Sequence, residues 1–162
     1  MIAMSLDELL AWTDEERGKW EKWCAEHPEA LAFALKGDRF GTVGGLIGHI
    51  FEAEWRQSHR LTGEPVPERV DPDNAPARLI FDRGRASRLA FRTAVAKMTD
   101  GAWQDLLAFD TASGKISVTK RKLALHLPLH EVRHWAQIAR TVREHDIAPP
   151  GKHDLMFSET VR

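Results

Sequence analysis

The stretch LALHLPLHEVRHWAQIARTVREH, residues 123–145, sets two histidines four apart on the inward side of a long helical pattern. Projected at about 100° per residue, Leu123, Leu127, Ile138 and Val142 share one face, and His130 and His134 fall toward it. His126 falls at the edge of that face, beside Arg133 and Gln137. Polar rings in a core need partners, because each one left unpaired costs about 1–3 kcal/mol. The chain must therefore fold so that another segment, or an ion, meets this face. Residues four apart on a helix stand one above the other, so two ring nitrogens can converge on one metal ion. The other reading of the spacing is a pair of histidines hydrogen-bonded inside the core.

The rest of the chain is mostly helical in pattern. Ser5 and Glu8 form a capping-box signal, followed by Leu9, Trp12, Glu16, Trp20 and Trp23 near helical spacing, and His27-Pro28 ends the run. A short helical piece, PEALAFAL, leads to Gly37. The second helix is expected from about Phe40 to Leu61, and the third from about Pro76 to Thr99. Between them TGEPVPERVDPDNAP reads as a loop, long for a helix connection and a candidate cover for a site. In DLLAFDTASGKISVT two short runs flank Ala112-Ser113-Gly114, which predicts a hairpin or paired loop. The last helix runs from about Lys120 to His145. Pro149-Pro150 stop it, and the tail GKHDLMFSETVR is expected to pack back through Leu155 and Phe157. Four long helices in 162 residues imply an all-α fold, a four-helix bundle forming a single domain over 1–162.

Charge excludes some functions. With 23 basic and 24 acidic residues the formal net charge is −1, so nothing pulls the whole molecule toward nucleic acid or an anionic membrane. The basic clusters RGRASR and TKRK lack interleaved aromatics and read as solvated helix faces. Cys24 is the lone cysteine and cannot form an internal disulfide; beside Trp20 and Trp23 it reads as a packed thiol. The N-terminus MIAMSLDELLAW has no basic region before it turns acidic, and no run of about 18 apolar residues occurs. A cytoplasmic protein with no nucleic-acid or membrane partner is the expectation.

A metal at His130 and His134 needs a third ligand from another helix. Zinc accepts imidazole nitrogen at about 2.0–2.1 Å, and a catalytic zinc typically keeps three protein ligands and one open position. Of the eight histidines, His49 is the best placed, mid-helix near Leu46 and Ala53. Gly41, Gly44, Gly45 and Gly48 precede it, which implies either close helix packing or room beside a metal. The HEVRH spacing also matches a zinc-protease motif with Glu131 as general base. Against that, the extended motif needs glycine at 137 and histidine at 140, where this chain has Gln137 and Arg140. No clear edge strand offers itself to a peptide. Glu131 projects about 60° from His134, toward a neighbouring helix, and its other reading is a surface or interhelical ion pair. Arg56, one turn beyond Ala53, is either an anchor for an acidic group or a surface ion pair.

With His49 in GHIFEAEW, then HEVRHWAQI, then DIAPPGKHD, the chain resembles the DinB (damage-inducible), YfiT-like family of metalloenzymes, over nearly its whole length and in the same order. The resemblance implies an up-down-down-up four-helix bundle, often dimeric, with a divalent metal on a histidine triad. Carried over, the triad is His49, His130 and His134, and the metal zinc or nickel, with iron possible. His126 matches a frequent family histidine that is not a usual ligand. Where members often read HHRGQ this chain reads RHWAQ, so Trp135 replaces a basic residue. The wider superfamily implies a small-molecule substrate and hydrolysis, or S-transfer using a low-molecular-weight thiol. The alternative is a non-catalytic, metal-stabilised stress-response bundle.

Overall fold

The computed structural model describes residues 4–68, 75–112 and 114–161. Among them are four long helices and one β-hairpin. Helix α1, Leu6–Glu26, starts as expected: Ser5 Oγ accepts the Glu8 N–H, and the Glu8 carboxylate accepts the Ser5 N–H. Pro28 halts the run, and only a 3-10 turn, Pro28–Ala32, follows, shorter than the helical piece expected through Gly37. Helix α2, Val43–Thr62, is capped by Thr42 Oγ1, which accepts the Gly45 N–H, and ends at Gly63 in the left-handed region. It begins after Phe40 because residues 35–42 close a turn of their own. Helix α3 is Ala77–Ala96. The loop expected to cover a site falls partly on residues 69–74, outside the described residues.

Strands β1, Leu106–Thr111, and β2, Gly114–Thr119, pair antiparallel with Phe109 opposite Ile116 and Leu107 opposite Val118. Ser113, which follows β1 in the chain, lies outside the described residues. β2 runs directly into helix α4, Lys120–Glu144, with Thr119 as its cap. No helix among the described residues is long and apolar enough to cross a membrane.

Helices α1 and α2 each pack against both α3 and α4. Two apolar clusters form the core. The larger holds Trp20, Ile47, Phe51, Phe81, Trp135 and Ile138; the smaller holds Leu10, Leu61, Phe91, Leu123 and Leu127, with Leu107, Phe109 and Val118 of the hairpin against it. On every helix a buried charged residue stands between the members of the two clusters: Arg17, Glu54, Arg88 and Glu131. Arg17 pairs with Glu131 at 2.7 Å and Glu54 at 3.0 Å, and Arg88 pairs with the same two carboxylates at 2.8 and 3.0 Å. Ser87 Oγ donates to Glu54 and Trp135 Nε1 to Glu131. Two guanidinium groups and two carboxylates cancel, so the layer is charged yet neutral overall. Such a layer adds little net stability over apolar packing, but it is costly to break on one side.

Arg88 corrects one expectation. It closes the RGRASR cluster but is 6% exposed, because Glu54 and Glu131 meet it in the core. Cys24 is fully buried, as its tryptophan neighbours suggest, and burial pushes its thiol up to about 12. The C-terminal tail does return to the body, mainly through polar groups. The His153 ring stacks on Trp20 and its Nδ1 lies 2.6 Å from Glu16 Oε2, while Ser158 Oγ donates to Glu15. Leu155 lines a crevice with Trp12, but Phe157 stays 43% exposed, with Lys152 over its ring.

Candidate metal centre

Helix α4 aims His130 and His134 at α2, and α2 returns His49 to them. The Nε2 atoms of His49 and His130 lie 3.3 Å apart, and those of His134 and His130 lie 3.0 Å apart. Each ring offers one ligand nitrogen, and the three lie within 4.8 Å of one another. Nitrogens held at about 2.0–2.1 Å from one tetrahedral ion would sit roughly 3.3 Å apart, so the spacing suits a shared ion. His134 Nδ1 donates to Gln137 Oε1 at 2.5 Å, which leaves the lone pair on Nε2, toward the cluster. The donor set therefore fits a divalent metal: three imidazole nitrogens, one of them oriented by an outer amide.

Burial favours the ligand state of the rings. His134 is 4% exposed, and His49 and His130 are half-buried. Burial, then the neighbouring His134 and His49 rings, pushes His130 down to about 3. His134 is also held below its usual value, by burial first, against a smaller opposing effect of Gln137. A neutral imidazole is what a metal requires.

The turn over residues 35–42 builds one wall. Leu35 N–H donates to Gly41 O, Asp38 N–H to Leu35 O, and Phe40 N–H to Asp38 Oδ1. This sets the Phe40 ring on His49, with centroids 3.9 Å apart and planes 20° apart. Gly45 makes that approach possible, since a Cβ there would meet the Phe40 carbonyl oxygen well inside contact distance. Gly44 likewise faces Leu31 O. Of the two readings of these glycines, Gly44 and Gly45 follow close backbone packing. The three rings open on a depression of about 350 Å³ lined also by Asp38, Arg39, Phe40, Arg133 and Gln137.

The sequence profile of the DinB family matches residues 2–159 of the chain. The chain belongs to the DinB family. No curated protein matches it. The DinB triad positions inferred from motif order, His49, His130 and His134, are the residues whose nitrogens come together. His126, also matched to a DinB histidine, is exposed; its ring lies tilted against His130 at 5.2 Å, outside the group of three nitrogens.

The protease reading fails at its base. Glu131 is 2% exposed and turned into the ion layer against Arg17 and Arg88, so it cannot act on a water at the histidines. Arg56 is absent from the lining of the depression and pairs with Glu52 of its own helix at 3.9 Å. Phe40 and Arg39 escaped the sequence reading, which put Phe40 in the first turn of a helix. Gly37 and Gly41, both at positive φ, were the available signal for a turn. Gln137 and Arg133 were visible at the edge of the helix face, but their role needed the neighbouring rings.

Proposed function

We propose that this DinB protein is a divalent-metal-dependent enzyme whose His49, His130 and His134 hold the ion, zinc or nickel by family likeness, with iron possible. The observation that carries the reading is the convergence of three Nε2 atoms from two helices, with Gln137 fixing the tautomer of His134. A divalent ion bound there would supply an electrophilic centre that lowers the pKa of a water or thiol at its open position. Within the chain, Gln137 orients His134, Phe40 covers His49 on one side, and the depression admits a small molecule.

Of hydrolysis and thiol-dependent S-transfer, the site favours S-transfer to a small electrophile. Glu131 is locked in the ion layer, so even a metal-activated water nucleophile would lack the motif's carboxylate base. A low-molecular-weight thiol starts near about 8.5 and depends far less on one.

The bundle topology belongs to the same proposal. The residues of the two core clusters follow in opposite order along α1 and α4 compared with α2 and α3, which supports an up-down-down-up arrangement in a single domain over 1–162. The length of the α2–α3 connection also fits, since two helices running the same way need a crossing link. A homodimer is carried over from the family likeness.

A second reading is a non-catalytic bundle in which the ion only joins α2 to α4; the placement of the three rings on those two helices favours it. Elemental analysis of protein purified without a histidine tag, paired with a screen of electrophiles against low-molecular-weight thiols, separates the readings. The enzyme reading expects one metal per chain, lost in His49→Ala, and turnover lost in His134→Ala. Bound metal that raises the melting temperature without any turnover would favour the second reading. Absence of metal from both wild type and His49→Ala would end both.

A further inference from the structure

The depression at the three histidines carries more positive charge than the ring chemistry requires. Two guanidinium groups, Arg39 and Arg133, line it against one carboxylate, Asp38, and that carboxylate already accepts the Phe40 N–H. Arg133 has no acid within reach along its own helix: the positions three and four away are Leu129, His130, Ala136 and Gln137. Among the described residues no carboxylate pairs with it across the fold. Its side chain lines the depression together with His49, His130 and His134. Arg39 packs over the Phe40 ring at 4.8 Å, a contact that keeps it at the rim without neutralising it. Gln137 spends its Oε1 on His134 and keeps its amide NH2 at the same wall. With a divalent ion added, the local charge repels itself unless an anion is present.

We propose that the site takes a small oxyanion, a carboxylate or phosphate carried by its substrate, held by the Arg133 fork and Arg39 beside the open side of the three-histidine centre. Guanidinium matches such a group in a two-pronged geometry that a point charge does not. The inference deepens the metal-centre reading and rests on it for the ion. It narrows the substrate class: neutral electrophiles lacking an acidic group would be poorly held.

The test uses the full chain loaded with one equivalent of Co²⁺, titrated at fixed ionic strength with inorganic phosphate and, separately, with succinate. Binding is followed by calorimetry and by the visible spectrum of the cobalt. Saturable binding is expected, weakened about 10-fold or more in Arg133→Gln and several-fold in Arg39→Gln, with cobalt content unchanged. Arg140→Gln, whose side chain pairs with Glu144 away from the depression, is expected to bind like wild type. The anion that saturates at lower concentration tells carboxylate from phosphate. Equal binding in wild type and Arg133→Gln, or no saturable binding to cobalt-loaded protein, overturns the oxyanion site while leaving the metal centre standing. Failure of cobalt to load in wild type, as in His130→Ala, ends the metal reading. The same titration on metal-free protein then decides: binding that needs Arg133 supports the oxyanion site, and its absence overturns it.

Discussion

Arg17 holds Glu131 by two parallel hydrogen bonds, Nε to Oε1 and Nη2 to Oε2, both 2.7 Å long. The residues are 114 apart in sequence and both are buried. Removing the carboxylate in Glu131→Ala leaves two core guanidinium groups sharing Glu54, with only the partly exposed Asp14 beside Arg88. A loss of about 3–5 kcal/mol is expected, read from urea unfolding. A loss under about 1 kcal/mol would mean that water or a rearrangement replaces the pair.

The same carboxylate sets a pH dependence. Burial pushes Glu131 up, but Arg17 and Arg88 outweigh it and hold it below the usual carboxylate value. A depressed folded value gives stability that is complete above the unfolded value, near about 4.3, and is lost as pH falls through the folded one. The stability gap between wild type and Glu131→Gln should therefore be widest above about pH 5 and narrow as the solution is acidified. Unfolding midpoints of both proteins across this range check it.

Gln137 offers a cleaner probe of the metal centre than the ligands themselves. Gln137→Leu removes the acceptor that fixes His134 without touching a ring nitrogen. Metal affinity is expected to fall about 10- to 100-fold with little change in the metal-free melting temperature. A chelator competition assay measures the first and a thermal melt the second.

Two glycines should respond oppositely to alanine. Gly18 lies exposed in α1 with nothing within 4 Å of an added Cβ, so Gly18→Ala is expected to stabilise by about 0.5–1 kcal/mol. Gly45→Ala drives a methyl into the Phe40 carbonyl and is expected to cost about 1–3 kcal/mol. It should also weaken metal binding, because the turn that seats Phe40 on His49 must move. Equal stability changes in the two variants would contradict the assigned packing.

Cys24 gives a test of the core. A fully buried thiol pushed up to about 12 should resist an aromatic disulfide reagent at pH 8 and react promptly in denaturant. Fast labelling of the native protein would show that the Trp20–Trp23 region opens.

Much of this was legible in the chain. Ser5 and Glu8 announced α1, and the apolar spacing around His130 and His134 put both rings on an interior face. That face was readable because helical geometry fixes direction locally. His49 could be ranked among eight histidines only by its apolar neighbours and by motif order, since nothing local says which distant segment will pack against α4. The partners of Glu131 were illegible for the same reason: Arg17 and Arg88 arrive from two other helices. The helix start expected at about Phe40 falls instead in the last residues of the turn over 35–42, because Phe40 and its glycines fit either pattern and only the hydrogen bonds of Asp38 decide between them.

Helix α4 presents neighbouring residues to two different tasks, Glu131 to the ion layer and His130 to the ring cluster. Its rotation about its own axis is thereby locked like a keyed shaft: a twist that loosened the carboxylate would swing the imidazoles off α2. Engineers altering the chemistry at the depression can leave that key untouched by working on Arg39, Arg133 and Gln137. A change at Arg17 or Arg88, on helices that contribute no ring to the cluster, would misalign the nitrogens from the far side of the core.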